Sequence, residues 1–186
     1  PDIPEVVPMV TEADLERLPK AVQRYFAFMG APGKPRDESF RLYMRGRFLF
    51  DREWVPCECA QYNSALSIAR IFHMRLRVKG IVPTYVRDTY VRGQGRMLGK
   101  ALDLVKVVDA ATEEISIGEC VTYLNDAVLF APSMLLHPAV TFEDAGPDAF
   151  DVTRVAGKCL RLGDGPAQAA CCFIHATYRS IHPWRN

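Results

Sequence analysis

Histidine is scarce in this chain: four residues, at 73, 137, 175 and 182, out of 186, leave few imidazoles for a metal centre or an acid–base pair. Charge of one sign is lacking too. The 23 Lys and Arg stand against 22 Asp and Glu, and a formal charge of +1 excludes a protein that coats polyanions through bulk electrostatics. No run of about 18 apolar residues occurs, which excludes a transmembrane helix within the sequence. The opening PDIPEVVPMV has no basic segment ahead of an apolar one, so no signal peptide is read here and the cytoplasm is the expected compartment. Motifs are missing as well. There is no His-x-x-x-His pair, no Asp-x-Asp-x-Asp-Gly loop and no Gly-x-Ser-x-Gly elbow, and Arg92-Gly93-Gln94-Gly95 lacks the third glycine and the lysine of a phosphate cradle. No metal and no cofactor is expected.

What is present is an ordinary globular composition, 49% apolar, long enough for one full core. Six cysteines stand at 57, 59, 120, 159, 171 and 172. Cys57 and Cys59 share one face of an extended segment without the Cys-x-x-Cys spacing of a zinc site, so the thiols are expected to be reduced and structural.

The first ten residues hold three prolines and read as an extended arm. Thr11 with Asp14 resembles a capping box, Leu18-Pro19 breaks the helix that follows, and Val22, Phe26 and Met29 form the stripe of a second helix ending at Gly30. From Glu38 the period changes to two. Phe40, Leu42, Met44, Phe48 and Phe50 alternate with Arg41, Tyr43, Arg45 and Arg47, the pattern of a half-buried strand. Further strands are read in WVPCECAQYN, in residues 65–78, in residues 84–91 and from about Arg96. Strands joined by short turns pair as an antiparallel meander. Residues 115–117 read as a short strand or a buried loop, and a helix is read from Glu119 to about Phe130 on the stripe Val121, Leu124 and Val128. Residues 141–143 and 150–153 read as two more strands across Gly146-Pro147. Beyond Arg154 no regular period survives.

Taken together, LPKAVQRYFAFMG, RGRF at 45–48, QY at 61–62, RDTYVRGQGRM at 87–97, VVDA at 107–110 and the GEC-x-x-YLND-x-V-x-F-x-P segment resemble an uncharacterised bacterial family of unknown function. The resemblance covers about residues 15–153, and residues 154–186 do not match it. It implies a fold like that of lipoprotein carriers. The expected architecture is α+β: a curved, half-barrel-like antiparallel sheet, an N-terminal helical pair, and one long helix packed on the sheet. Residues 1–153 are expected to form one domain, with 154–186 an atypical tail, truncated or frame-shifted, whose loss of strands would leave an open sheet edge for self-association.

Two sets of residues are candidates for function. Arg47, Gln61, Tyr62, Asp88, Tyr90 and Met97 are polar or adaptable groups at strand positions; on an inward face they need each other or the head group of a ligand. With an apolar lining of Met44, Phe48, Phe72, Met74, Leu124 and Val128, they point to binding of a small hydrophobic or amphiphilic molecule between sheet and helix. The alternative is a small ester or lactone hydrolase, with or without the assistance of a metal, using Asp88, Asp109, Glu119 and His73. The basic run Arg70, Arg75, Arg77, Lys79, Arg87, Arg92 and Arg96 reads as solvated strand faces rather than a nucleic-acid interface, and no nucleic-acid partner is expected.

Overall fold

The computed structural model describes residues 7–154 and 158–162. They fall into two compact units. One holds Phe40–Asn63 and Ser67–Glu119; the other holds residues 7–39, Ser64–Leu66 and the described residues from Cys120 onward. The class is α+β, as the sequence implies.

The first unit is a six-stranded antiparallel sheet, open rather than closed into a barrel. Its strands are β1 (Ser39–Phe50), β2 (Glu53–Ser64), β3 (Ala69–Val78), β4 (Val82–Val91), β5 (Gln94–Ala101) and β6 (Val105–Ala110), adjacent in chain order. Four of the reversals carry a pair of consecutive left-handed residues: Asp51-Arg52 and Arg92-Gly93 in two-residue turns, and Lys79-Gly80 and Leu102-Asp103 in the three-residue turns 79–81 and 102–104. Such turns twist in the sense of the strands they join, so each locks a tight hairpin. Side chains then alternate between two faces. On the inner face lie Val55, Cys57, Cys59, Phe72, Met74 and Leu76, a buried apolar cluster against which Met44, Phe48, Val78 and Val86 pack. The outer face carries Arg41, Arg45, Arg47, Arg75, Arg77 and Arg87, all exposed.

The long helix, α3 (Glu113–Phe130), starts six residues before the expected Glu119, and residues 115–117 are helical rather than a strand or buried loop. The start is set by Thr112, whose hydroxyl accepts from Ile115 N–H at 3.4 Å, with Glu113 and Glu114 favouring the positive helix end. The β-branched Ile115 and Ile117 hide this in the sequence. The first turns of α3 lie directly on β5. A Cβ built on Gly95 would come within 2.7 Å of Ser116 Cα, and Gly95 N–H donates to Ser116 Oγ at 2.9 Å.

In the second unit the capping box holds as expected. Thr11 caps α1 (Glu12–Glu16), and its hydrogen bonds to Asp14, aided by Arg36, hold that carboxyl down at about 2. Pro19 directly precedes α2 (Lys20–Phe28), which buries Val22 and Phe26 completely. Residues 7–10 are extended in part through a Met9–Pro35 bridge. A short 3-10 helix, Pro132–Leu136, follows α3 and leads to β7 (Val140–Gly146), β8 (Ala149–Arg154) and β9 (Lys158–Leu162), a three-stranded antiparallel sheet. Beyond Arg154, where the sequence shows no regular period, β9 pairs antiparallel with β8. Tyr25, Phe26, Phe142 and Phe150 meet as edge-on or tilted ring pairs 5.1–6.2 Å apart. The rest of the expected N-terminal arm, residues 1–6, and of the tail, residues 155–157 and 163–186, lie outside the described residues.

Candidate functional site

Strand alternation brings five side chains to the inner face of the larger sheet, Gln61 and Asn63 from β2, Arg70 from β3, and Asp88 and Tyr90 from β4, and α3 adds Glu119. Gln61, Asn63, Arg70, Tyr90 and Glu119 are all buried, Asn63 and Tyr90 completely. The pairing register sets the rest. Arg70 stands opposite Tyr90, Phe72 opposite Asp88, and Asp88 opposite Met97.

At the centre is an ion pair. Arg70 Nη1 donates to Glu119 Oε2 at 2.8 Å, with side-chain exposures of 7% and 9%. Arg70 Nη2 donates to Gln61 Oε1 at 3.4 Å, Gln61 Nε2 donates to Asn63 Oδ1 at 2.8 Å, and the guanidinium lies 5.0 Å from the centre of the Phe72 ring. A pair this enclosed contributes little net stability, yet removing one partner alone costs about 3–5 kcal/mol because the other charge is stranded. Two buried atoms of this cluster make no protein hydrogen bond among the described residues: Asp88 Oδ1, an acceptor, and Asn63 Nδ2, a donor. Burial pushes the Asp88 carboxyl above its usual range, and the nearby Arg70 charge offsets part of the rise.

The sequence candidates divide by face. Gln61, Asp88, Tyr90 and Met97 lie inward; Arg47 and Tyr62 do not. Arg47 is exposed and donates to the Trp54 carbonyl at 2.9 Å, while Tyr62 sits beneath the Arg41 guanidinium at 5.5 Å. Both therefore leave the set, because neighbours along a strand cannot share a face. The hydrolase set is likewise split. Glu119 and Asp88 flank Arg70, but His73 is exposed on the outer face opposite Arg87, and Asp109 is bound by Arg96 at 2.9 Å and Lys106 at 3.1 Å. Asp88 lies within the influence of the Arg70 charge. Glu119 is held in its ion pair with Arg70.

Arg70 and Asn63 are the residues that sequence reasoning misses. A signal for Arg70 exists, since it falls in phase with Phe72 and Met74. Asn63 continues the phase of Cys57, Cys59 and Gln61 in the same way. Cys57, Cys59 and Cys120 are free and buried. Burial and the adjacent Cys57 raise the Cys59 thiol to about 12, so it stays protonated and is a poor nucleophile. Among the described residues no cluster of three or more His, Cys, Asp or Glu could hold a metal ion. Two surface hollows, about 330 Å³ beside Tyr25 and Phe28 and about 640 Å³ beside Gly95 and Ser116, have other linings and do not include the cluster.

These features define an α+β protein whose open antiparallel sheet carries a buried, incompletely satisfied polar cluster next to an apolar face. The chain belongs to DUF6544, a family of unknown function, whose model matches residues 8–158. No curated protein and no solved structure gives a significant match.

Proposed function

We propose that the protein binds a hydrophobic or amphiphilic small molecule on the inner face of the six-stranded sheet, with its polar head at Asn63, Arg70 and Asp88 and its apolar part along Phe72, Met74 and Met44. The observation that carries this reading is the pair of buried unpartnered atoms, Asp88 Oδ1 and Asn63 Nδ2, beside a continuous apolar cluster. An unmet buried polar atom costs about 1–3 kcal/mol, so a head group supplying one donor and one acceptor is favoured there. The lipoprotein-carrier likeness implied by the sequence motifs supports the same reading by analogy alone.

Charge narrows the head group. The Arg70 cation is already matched by Glu119, which leaves Asp88 as the unbalanced charge, so an anionic head is repelled and an uncharged hydroxyl or amide head is preferred. Since the side chains around the cluster are buried, uptake is expected to require movement on the inner face and to be slow.

Thermal melts with dodecanol and with laurate test this. Dodecanol is expected to raise the melting temperature in a concentration-dependent way, laurate to do so much less, and Asp88→Leu to weaken the dodecanol shift. No shift from either probe overturns binding; an equal shift from laurate overturns the neutral-head assignment. Cleavage of a chromogenic ester, lost on Asp88→Asn, would instead favour the hydrolase alternative.

A further inference from the structure

The geometry points to a second property, independent of the amphiphile reading: one end of the six-stranded sheet docks on an anionic membrane surface. In an up-and-down meander every second turn falls at the same end. The β1–β2, β3–β4 and β5–β6 turns therefore share one end, and the β4–β5 turn lies at the other. All three turns at the shared end hold apolar side chains out in water. Phe50 and Trp54 flank the first, Ile81 is 78% exposed at the second, and Leu104 is 84% exposed at the third beside the half-exposed Leu102.

The last two turns adjoin, for Leu102 N–H donates to the Pro83 carbonyl at 2.8 Å. With strands about 4.8 Å apart, the three tips span roughly 20 Å along one edge. Their chemistry is the reverse of what such turns favour. Asn, Asp and Gly are preferred where two successive residues have positive φ, yet Leu102 takes that conformation at φ +55° with its side chain exposed. Neither local geometry nor a core explains leucine there; an apolar surface outside the unit does.

Charge selects a membrane as that surface. Arg77 and Lys79 border one of the adjoining tips, Lys100 and Lys106 border the other, and Asp103 is the acid between them, in a chain whose total charge is only +1. Lys106 is shared with Asp109, and the other three cations have no acidic partner among the described ion pairs. Cations set around the two adjoining tips match anionic headgroups over acyl chains; the first tip, where Asp51 and Glu53 flank Arg52, contributes Phe50 and Trp54, the latter of the residue type favoured at headgroup depth.

Sedimentation of the full chain with sucrose-loaded vesicles of phosphatidylcholine, with and without phosphatidylglycerol, tests the proposal. The protein is expected to pellet with the phosphatidylglycerol vesicles, less in high salt, and Ile81→Ser with Leu104→Ser is expected to weaken binding about tenfold or more. Both side chains are exposed, so thermal melts of the variant should match the parent; Lys79→Glu with Lys100→Glu gives a second route to the same loss. A control, Val91→Ser at the opposite end, should pellet as the parent does. Absence of pelleting with anionic vesicles, unchanged pelleting of the tip variants, or an equal loss in the Val91 control would each overturn it. Because this readout needs no bound amphiphile, its failure leaves the dodecanol result standing, and the reverse also holds.

Discussion

Asp88 is the residue on which the chemistry turns. Its carboxyl is raised by burial, with Arg70 pulling the other way, and one of its oxygens has no partner. The unfolded chain loses this proton near 3.8, the folded chain at a higher pH. Between those values the folded state holds a proton that the unfolded state has released, so stability from this group falls as pH rises through the window. Asp88→Asn removes the effect. The variant is expected to melt higher than the parent at neutral pH, with the gap closing as pH falls toward 3.8, and parallel melts over a pH series will check it; a gap independent of pH would contradict this account of the site. At this scale the sequence is informative about parity and silent about partners. Period-two alternation puts Gln61, Asp88 and Tyr90 on the buried face, and the same arithmetic assigns Arg70 to it, although counting charges along the chain groups Arg70 with solvated arginines. The pairing of Arg70 with Glu119 joins residues 49 apart, and no local pattern encodes it.

At the scale of elements, hairpins are legible because their signals are local. The turn residues and the switch from period 3.6 to period 2 lie within a few positions of each boundary, and five of the six strands of the larger sheet follow from them; β6, in a mostly apolar stretch without alternation, does not. The start of α3 is harder to read, since the β-branched Ile115 and Ile117 favour a strand while Thr112, Glu113 and Glu114 favour a helix start. Contact with β5 decides between them. Gly95 is where that contact is made: its missing side chain lets the helix backbone approach, with Ser116 Cα and the Ile115 carbonyl only 2.7 and 2.8 Å from where a Cβ would stand. Those neighbours are backbone and cannot swing aside. Gly95→Ala is expected to destabilise the fold by about 1–3 kcal/mol through overpacking, measurable by urea denaturation. Because Glu119 lies on the same helix, the variant should also weaken any dodecanol-induced shift. A variant as stable as the parent would mean that α3 is not seated on β5.

For the whole molecule, no described helix is long and apolar enough to cross a membrane. The larger sheet has two edge strands, β1 and β6, and an end studded with apolar tips. The sequence reads these tips as ordinary turns, because exposure of Ile81 or Leu104 depends on where the meander places them and not on their immediate neighbours. The proposed function rests on a buried polar cluster in which Asp88 Oδ1 and Asn63 Nδ2 have no protein partner among the described residues. Native mass spectrometry of freshly purified protein tests that claim most directly. The account predicts a persistent adduct of a few hundred daltons, uncharged and extractable into organic solvent, that is lost from the Asp88→Leu variant while the fold is retained. The bare polypeptide mass, in a preparation that also takes up no dodecanol, would contradict it.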